Sequence, residues 1–409
     1  MKSILLINHY AGSPVHGMEY RPYYLARAWV KNGYKVKIVA ASVSHVRSVQ
    51  PEIEGEYREE TIDGIEYLWF KTPAYSSNGA KRFVNMLAFI RQLNKLSNKI
   101  VQEVRPDVVI ASSTYPLDIY PAAKIAKKSH AKLIFEVHDL WPLSPMELGG
   151  MSKWHPFIMI MQMAENYAYK NSDLVVSMLP NALAHMESHG LVKERYSCIP
   201  NGIAVDEWKK DSEQLPEELD QIISRKKEKG YFLVGYAGAH GVANALDNVL
   251  EAALLLRGQK VMFVLIGHGP EKERLIKAAK EKNIVNVIFQ PSIPKELIPS
   301  FLNKMDALYI GLQKQPLFRY GISPNKLMDY MMAKKPIIQA IEAGNDMVSD
   351  AGCGISIEAE NPEALKNAVE LLMSKGHAEL EGMGDSGYQY VTRNHDYRVL
   401  AQNFAELID

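Results

Sequence analysis

Lys326 and Asp329 stand three residues apart at the start of a helical stretch, just after the run Arg319-Tyr320-Gly321-Ile322-Ser323-Pro324-Asn325. Residues at that spacing share a helical face. An ammonium group suits a phosphate as a point charge, and a carboxylate can accept both hydroxyls of a ribose. One helix end could therefore hold a nucleoside diphosphate at two places. Ser323 or Asn325 is expected to cap this helix, leaving Lys326 in its first turn. The plainer reading is a surface Lys–Asp pair of little energetic worth. The position at a helix start, where free N–H groups favour an anion, weighs toward binding.

Four other stretches hold residues suited to chemistry. In Tyr236-Ala237-Gly238-Ala239-His240-Gly241-Val242-Ala243-Asn244, glycines let the backbone approach a diphosphate, and a helix start follows. Gly267-His268-Gly269-Pro270 repeats the pattern after the next apolar run. In Phe135-Glu136-Val137-His138-Asp139-Leu140-Trp141-Pro142, an imidazole beside a carboxylate can be fixed in one tautomer or carry charge. A satisfied histidine at a strand end is the alternative. The opening loop from Asn8 to Arg21 carries Gly12, Gly17 and Glu19 and reads as a phosphate approach or as an ordinary mobile loop. It has no GxGxxG, so the dinucleotide fingerprint is absent. Asn201-Gly202 reads as a structural turn with positive φ that closes the first half of the chain.

These loops need strands before them and helices after them. Short apolar, β-branched runs at 4–7, 36–40, 107–111, 132–136 and 174–177 alternate with amphipathic stretches, including a helix at about 20–32 ended by Gly33. The alternation predicts a parallel sheet built from βαβ units. A second series follows at 232–237, 262–266, 287–290, 307–310, 336–339 and 354–357, with helices at 245–256 and 272–282. A charged stretch at about 208–230 separates the two series. The expected class is α/β with two Rossmann-like, doubly wound domains facing a central cleft, 1–205 and 206–387. Ligands in such sheets lie beyond the carboxyl ends of the strands.

Composition narrows the field. With 47 basic and 47 acidic residues the formal charge is zero, which argues against a nucleic-acid partner. The two cysteines lie in no CxxC pair and near no histidine cluster, so neither a disulfide framework nor a structural zinc is expected. No apolar run approaches the roughly 18 residues that span a bilayer. The segment 81–101 reads as an amphipathic helix, apolar at Phe83, Leu87, Ile90 and Leu93 and basic at Lys81, Arg82, Arg91, Lys95 and Lys99. It suits either an anionic membrane or a core with a solvated basic side. The apolar stretch 153–161 is a second membrane candidate.

Taken together, the first loop with Gly17, residues 135–142, 199–202, 236–247, 266–270 and 323–336 resemble the retaining glycosyltransferases of family 4, which have the GT-B fold. The chain is most similar to the bacterial surface-polysaccharide type, which includes N-acetylfucosamine and N-acetylglucosamine transferases. The resemblance implies transfer of a sugar, an N-acetylated hexosamine, from a UDP-sugar to a lipid-linked or saccharide acceptor in O-antigen or capsule synthesis. It implies His138, Lys326 and Asp329 as catalytic residues. Gly17, His240, Gly241, Asn244, Gly267, Arg319, Ser323 and Asn325 would join Lys326 and Asp329 around the donor. Glu19, Asp139 and Trp141 would lie on the acceptor side. Gly321 stands where many members carry a first acid, and Ala239, His240 and Ala243 occupy the segment of the usual basic diphosphate ligands, so Lys326 with Arg319 would supply the charge. The final helix, within about 388–409, would return to the first domain. No DxD motif is present, so no metal or other cofactor is expected and activity should survive EDTA. A cytoplasmic protein, peripheral on the inner face of the membrane, fits a polyprenyl-diphosphate-linked acceptor. A UDP-sugar 2-epimerase of the same fold and a non-catalytic nucleotide-sugar-binding protein are the competing readings.

Overall fold

Ile4, Leu5, Leu6 and Ile7 are at most 1% exposed, so this run is covered on both faces, as a central strand of a parallel sheet must be. The structure is a computed structural model and describes residues 2–17, 20–75, 79–208 and 214–408. The chain divides into two units. The first comprises 1–201, 320–323 and 397–409, and the second 202–319 and 324–396.

The first unit is built on an eight-stranded sheet. Its strands are β1 Ser3–Ile7, β2 Lys35–Ala41, β3 Tyr57–Ile62, β4 Ile65–Phe70, β5 Val108–Ala111, β6 Lys132–Val137, β7 Leu174–Ser177 and β8 Tyr196–Cys198. They lie in the order β3-β4-β2-β1-β5-β6-β7-β8. All neighbours are parallel except β3 and β4. That pair is a hairpin closed by Asp63-Gly64, both at positive φ (51° and 79°), as a two-residue turn between twisted strands requires. Helix Tyr397–Ile408 packs on helix Tyr20–Lys31: the Trp29 indole donates to the Ala401 carbonyl at 3.0 Å, and Tyr24 stacks on Tyr397. Trp29→Ala should cost about 3–5 kcal/mol, read from urea unfolding. A loss under about 1 kcal/mol would mean that this contact does not hold the helix.

The second unit holds six strands: β9 Phe232–Ala237, β10 Val261–Ile266, β11 Val287–Gln290, β12 Ala307–Gly311, β13 Ile337–Ala340 and β14 Gly354–Ile357. All are parallel, in the order β11-β10-β9-β12-β13-β14. The charged stretch after 208 is not a bare linker. Helix Glu217–Glu228 forms within it and buries Leu219 and Ile223. Residues 388–396, assigned by sequence to the first unit, stay with the second, because helix His377–Asn394 is continuous and buries Val391 there.

Strand order fixes where ligands can enter. In the first sheet β1 lies between β2 and β5, and in the second β9 lies between β10 and β12. The winding direction reverses at these points, so the loops after β1 and β5, and after β9 and β12, splay apart and open a crevice at the carboxyl edge.

Candidate functional site

In the second unit the crevice is formed by the loop after β9 and by helix Asn325–Met332. Tyr330 fastens that helix to the sheet, its hydroxyl accepting from the Ala237 N–H at 2.9 Å. Lys326 then reaches across the loop. Its Nζ donates to the Tyr236 hydroxyl at 3.0 Å and to Asn244 Oδ1 at 2.7 Å, and lies 4.6 Å from the Tyr236 ring centroid. Gly238 makes this possible, since a Cβ there would meet Nζ at 3.0 Å. Asp329, one turn on, accepts from the Trp208 indole at 3.1 Å. Among the described residues Lys326 has no carboxylate within ion-pair distance, so the Lys–Asp surface pair does not form. Burial pulls Lys326 down to about 8. Burial also raises the Asp329 carboxyl, with Lys295 and Trp208 opposing the shift. An ammonium and a carboxylate on one helix face, each partly stripped of water and neither neutralised by the other, can take a bound anion and a pair of hydroxyls.

Other expected residues stand differently. The N-cap position is Pro324, with no side-chain cap. Ser323 does not cap because its Oγ accepts from the Asn201 N–H at 2.9 Å, and Asn325 is an exposed first helical residue. The first-turn N–H groups of the helix are thus left without a side-chain partner. Arg319 is exposed and donates to the Pro316 carbonyl. Asn201 and Gly202 lie outside the positive-φ set, so this turn is not left-handed.

The His240 backbone locks two loops together: its N–H donates to the His268 carbonyl at 2.8 Å, and its carbonyl accepts from the Glu271 N–H at 3.0 Å. Its imidazole is buried, and neither ring nitrogen has a hydrogen-bond partner among the described residues. Gly267 and Gly269 explain the lock. Both have strongly positive φ (153° and 155°), and a Cβ would strike the Gly238 carbonyl oxygen at 1.8 Å or the His240 carbonyl oxygen at 2.4 Å. Gly267 is buried and faces protein backbone, so packing demands this glycine. Gly241 is the opposite case: the nearest atom to an added Cβ is Asn244 Nδ2 at 4.0 Å, so no protein contact requires a glycine.

The first unit assembles a buried polar network at the carboxyl end of β6. Arg21 donates twice to Glu136 Oε1, at 3.0 and 2.8 Å, and also to the carbonyls of Ile199 (2.9 Å) and Pro200 (2.5 Å). Ser112, following β5, donates to Glu136 Oε2 at 2.6 Å and lies 2.8 Å from His138 Nε2, which is itself 3.2 Å from Glu136 Oε2. Burial pushes the Glu136 carboxyl up, but Arg21, His138 and Ser112 together hold it well below the usual carboxylate range. The expected His138 is therefore held by Ser112 after β5 and by Glu136 on β6, and Glu136 is in turn held by Arg21. The sequence signal for Glu136 was a charge inside an apolar strand, which needs a buried partner. Asp118 is a further buried carboxyl near this network. It accepts from the Ser113 N–H at 3.0 Å and is pushed by burial up to about 7.

Asp139 accepts from the Leu140 N–H and from the Ser144 hydroxyl at 2.6 Å, and the Trp141 ring packs edge-on to Phe157. Gly17 sits at φ 79° in a tight turn, paired with Ser13 and pressed on Ser48. The described part of the loop, up to Gly17, is tied by backbone hydrogen bonds between Ser13 and Gly17 and from Val49 to His16. Glu19 lies outside the described residues.

With this geometry in place, comparison with known proteins gives the class. Residues 16–202 match the glycosyl transferase 4-like domain family, and residues 217–390 match glycosyl transferases group 1. The chain belongs to the family 4 type of glycosyltransferases and has the GT-B fold; it is a transferase enzyme. It is 23% identical to the probable glycosyltransferase WbjE of Pseudomonas aeruginosa, over 88% of this chain and 86% of that one. It is 24% identical to the putative colanic acid biosynthesis glycosyl transferase WcaI of Escherichia coli K12, over 84% and 86%. A solved structure of HepE from Anabaena, in complex with UDP, superposes with a TM-score of 0.68 at 15% identity, covering 100% and 99% of the two chains.

Proposed function

We propose that this enzyme transfers a sugar, an N-acetylated hexosamine, from a UDP-sugar to a lipid-linked or saccharide acceptor in polysaccharide synthesis, with retention of configuration. The observation that carries this reading is Lys326: a cation partly withdrawn from water, with no carboxylate partner among the described residues, at an uncapped helix start. A diphosphate would complete its charge, and Asp329 would accept the ribose hydroxyls. Gly241, whose lack of a side chain no protein contact requires, would give the diphosphate backbone access beside Asn244. HepE was solved with UDP, and the name of WcaI refers to colanic acid biosynthesis; both relatives support this choice of donor and pathway class. His138, held by Ser112 and Glu136, would face the transferred sugar, while Gly17, Arg319, Ser323 and Asn325 remain assigned to the donor and Asp139 and Trp141 to the acceptor side. Charge on the leaving diphosphate would be met by Lys326 and helix N–H groups without a metal. Turnover should persist in EDTA, and loss of activity restored by magnesium would overturn that part.

The acceptor reading gains support from the surface of the first unit. Helix Ala80–Val104 buries Phe89, Leu93 and Ile100, so it is core-facing as well as basic. It leaves Val84 and Leu87 exposed, and Phe83 packs against Phe157 at the start of helix Pro156–Asn171. That second helix and its approach expose Trp154 (72%), Met159, Ile160 and Met163 (66%), with Lys153 over the Trp154 ring. No helix among the described residues is long and apolar enough to cross a membrane. An apolar patch with basic neighbours suits the inner leaflet of the membrane. The protein should float with anionic vesicles, and Trp154→Glu with Met163→Glu should abolish flotation; equal flotation by both proteins would sink the assignment.

The transferase reading itself is tested by incubating the enzyme with UDP-sugars and following UDP release. Slow release with one UDP-sugar, accelerated by a polyprenyl-diphosphate saccharide, is expected. Conversion of the donor to an isomeric UDP-sugar would instead identify an epimerase.

A further inference from the structure

Away from the residues assigned above, helix Pro156–Asn171 and helix Leu183–Ser188, with its C-cap residue His189, bring together Glu165, His185 and His189. The carboxylate oxygen, His185 Nε2 and His189 Nδ1 lie within 4.8 Å of one another. His185 and His189 are four residues apart, so their rings leave the same side of the backbone and sit 4.6 Å from each other. Glu165 rises to meet them from the longer helix and is 1% exposed.

Two features distinguish this cluster from an ordinary hydrogen-bonded one. Among the described residues Glu165 has no lysine or arginine within ion-pair distance; His185 is its one cationic candidate. A buried carboxylate is costly without a full positive charge nearby. The separation of His185 Nε2 from Glu165 Oε1 is 3.4 Å. A charge-assisted hydrogen bond would be about 2.7–2.9 Å. The edge of a tetrahedron around zinc, with metal–ligand bonds of about 2.1 Å, is about 3.4 Å. The surroundings also supply outer support: the Tyr169 hydroxyl donates to Glu165 Oε1 at 2.9 Å, and Gln162 Nε2 donates to Oε2 at 2.7 Å. Such partners orient a ligating carboxylate and raise metal affinity.

The geometry points to a divalent transition-metal site, of the zinc class, formed by Glu165, His185 and His189. Two imidazoles and one carboxylate are a borderline donor set that suits Zn²⁺ better than Mg²⁺ or Ca²⁺. On binding, the metal replaces any proton on His189 Nδ1, and the contacts of that atom with Gln162 Nε2 and Asn166 Oδ1 (3.0 Å each) give way to the metal–nitrogen bond. The ion ties the two helices together. Its role is structural, so stripping it lowers thermal stability without entering the chemistry at Lys326.

The test uses the full chain, stripped with a chelator, loaded with equimolar zinc and passed through a desalting column. The wild type should retain about one zinc per chain, and its Tm should rise on loading. His185→Gln and His189→Ala should elute as folded protein, retain no zinc and show no Tm rise. Cobalt(II) provides a reading that does not depend on variants: the wild type should show the intense visible bands of a four-coordinate ion. Zinc retention no greater than that of the variants, or a cobalt spectrum identical to the free hydrated ion, would overturn the assignment.

Discussion

Lys326→Met should lower kcat/KM by about a hundred- to a thousandfold, the cost of removing one preorganised group that meets developing charge. The same variant should unfold at a temperature equal to or above that of the wild type. Lys326 is a cation drawn out of water, and in the free protein its partners are a phenol, an amide oxygen and a ring face. Such a group lowers stability while it is protonated, and methionine fills the same volume without that cost. A group that merely packed would behave in the opposite way, losing stability along with activity. The pH dependence carries a sign as well. With Lys326 held down to about 8, its charge is present below that pH and lost above it. The profile of kcat/KM, which reports the free enzyme, should fall as pH rises through about 8. Lys326→Arg should move that limb to higher pH. An unchanged alkaline limb in the arginine variant would mean that another group titrates there.

Glu136→Gln should cost about 3–5 kcal/mol of stability in the first unit, because it leaves the Arg21 guanidinium buried beside a neutral amide. It should also cost activity, since Ser112 and His138 lose the carboxylate that positions them. The double change Arg21→Met with Glu136→Leu removes both charges. It should recover much of the stability, as apolar replacements of buried ion pairs do, while activity stays low. That split separates positioning of His138 from simple folding. Because the Glu136 carboxyl is held below its ordinary value of 4.5, its contribution to stability is full above that pH and fades as pH falls below it. In acid titrations monitored by circular dichroism the wild type should therefore lose more stability than the double variant. Parallel acid curves would show that the pair does not anchor the unit.

Strand positions were the most legible part of the fold: Phe232–Ala237, Val287–Gln290 and Gly354–Ile357 stand at the bounds read from the sequence, the first a largely buried inner strand and the other two half-buried strands at the sheet edges. β13 starts at Ile337 instead of 336, since Pro336 has no N–H to give the ladder. The helix expected from 245 begins at Asp247 because Ala245 turns left-handed, at φ 48°, after a short turn. The β3–β4 hairpin was missed although Asp63-Gly64 is a hairpin signal, because Tyr57-Arg58-Glu59-Glu60 is too polar to read as a buried strand. For the site, spacing placed Lys326 and Asp329 on one helix face. It could not show that Lys326 turns to Tyr236 and Asn244, or that Trp208 meets Asp329, since those partners are about 80 to 120 residues distant in the chain. The backbone lock at His240 was not legible either, because a histidine beside glycines in a strand-end loop reads the same whether or not its backbone is tied to the neighbouring loop.

A thermal-shift titration of wild type and Asp329→Ala with UDP, GDP, ADP and dTDP tests the donor site itself. A nucleotide at about a hundred times its dissociation constant should stabilise by roughly 2.7 kcal/mol. A selective shift with UDP is expected in the wild type and should disappear in Asp329→Ala. A shift of equal size in both proteins, or no shift with any nucleotide, would contradict a donor site built on Lys326 and Asp329.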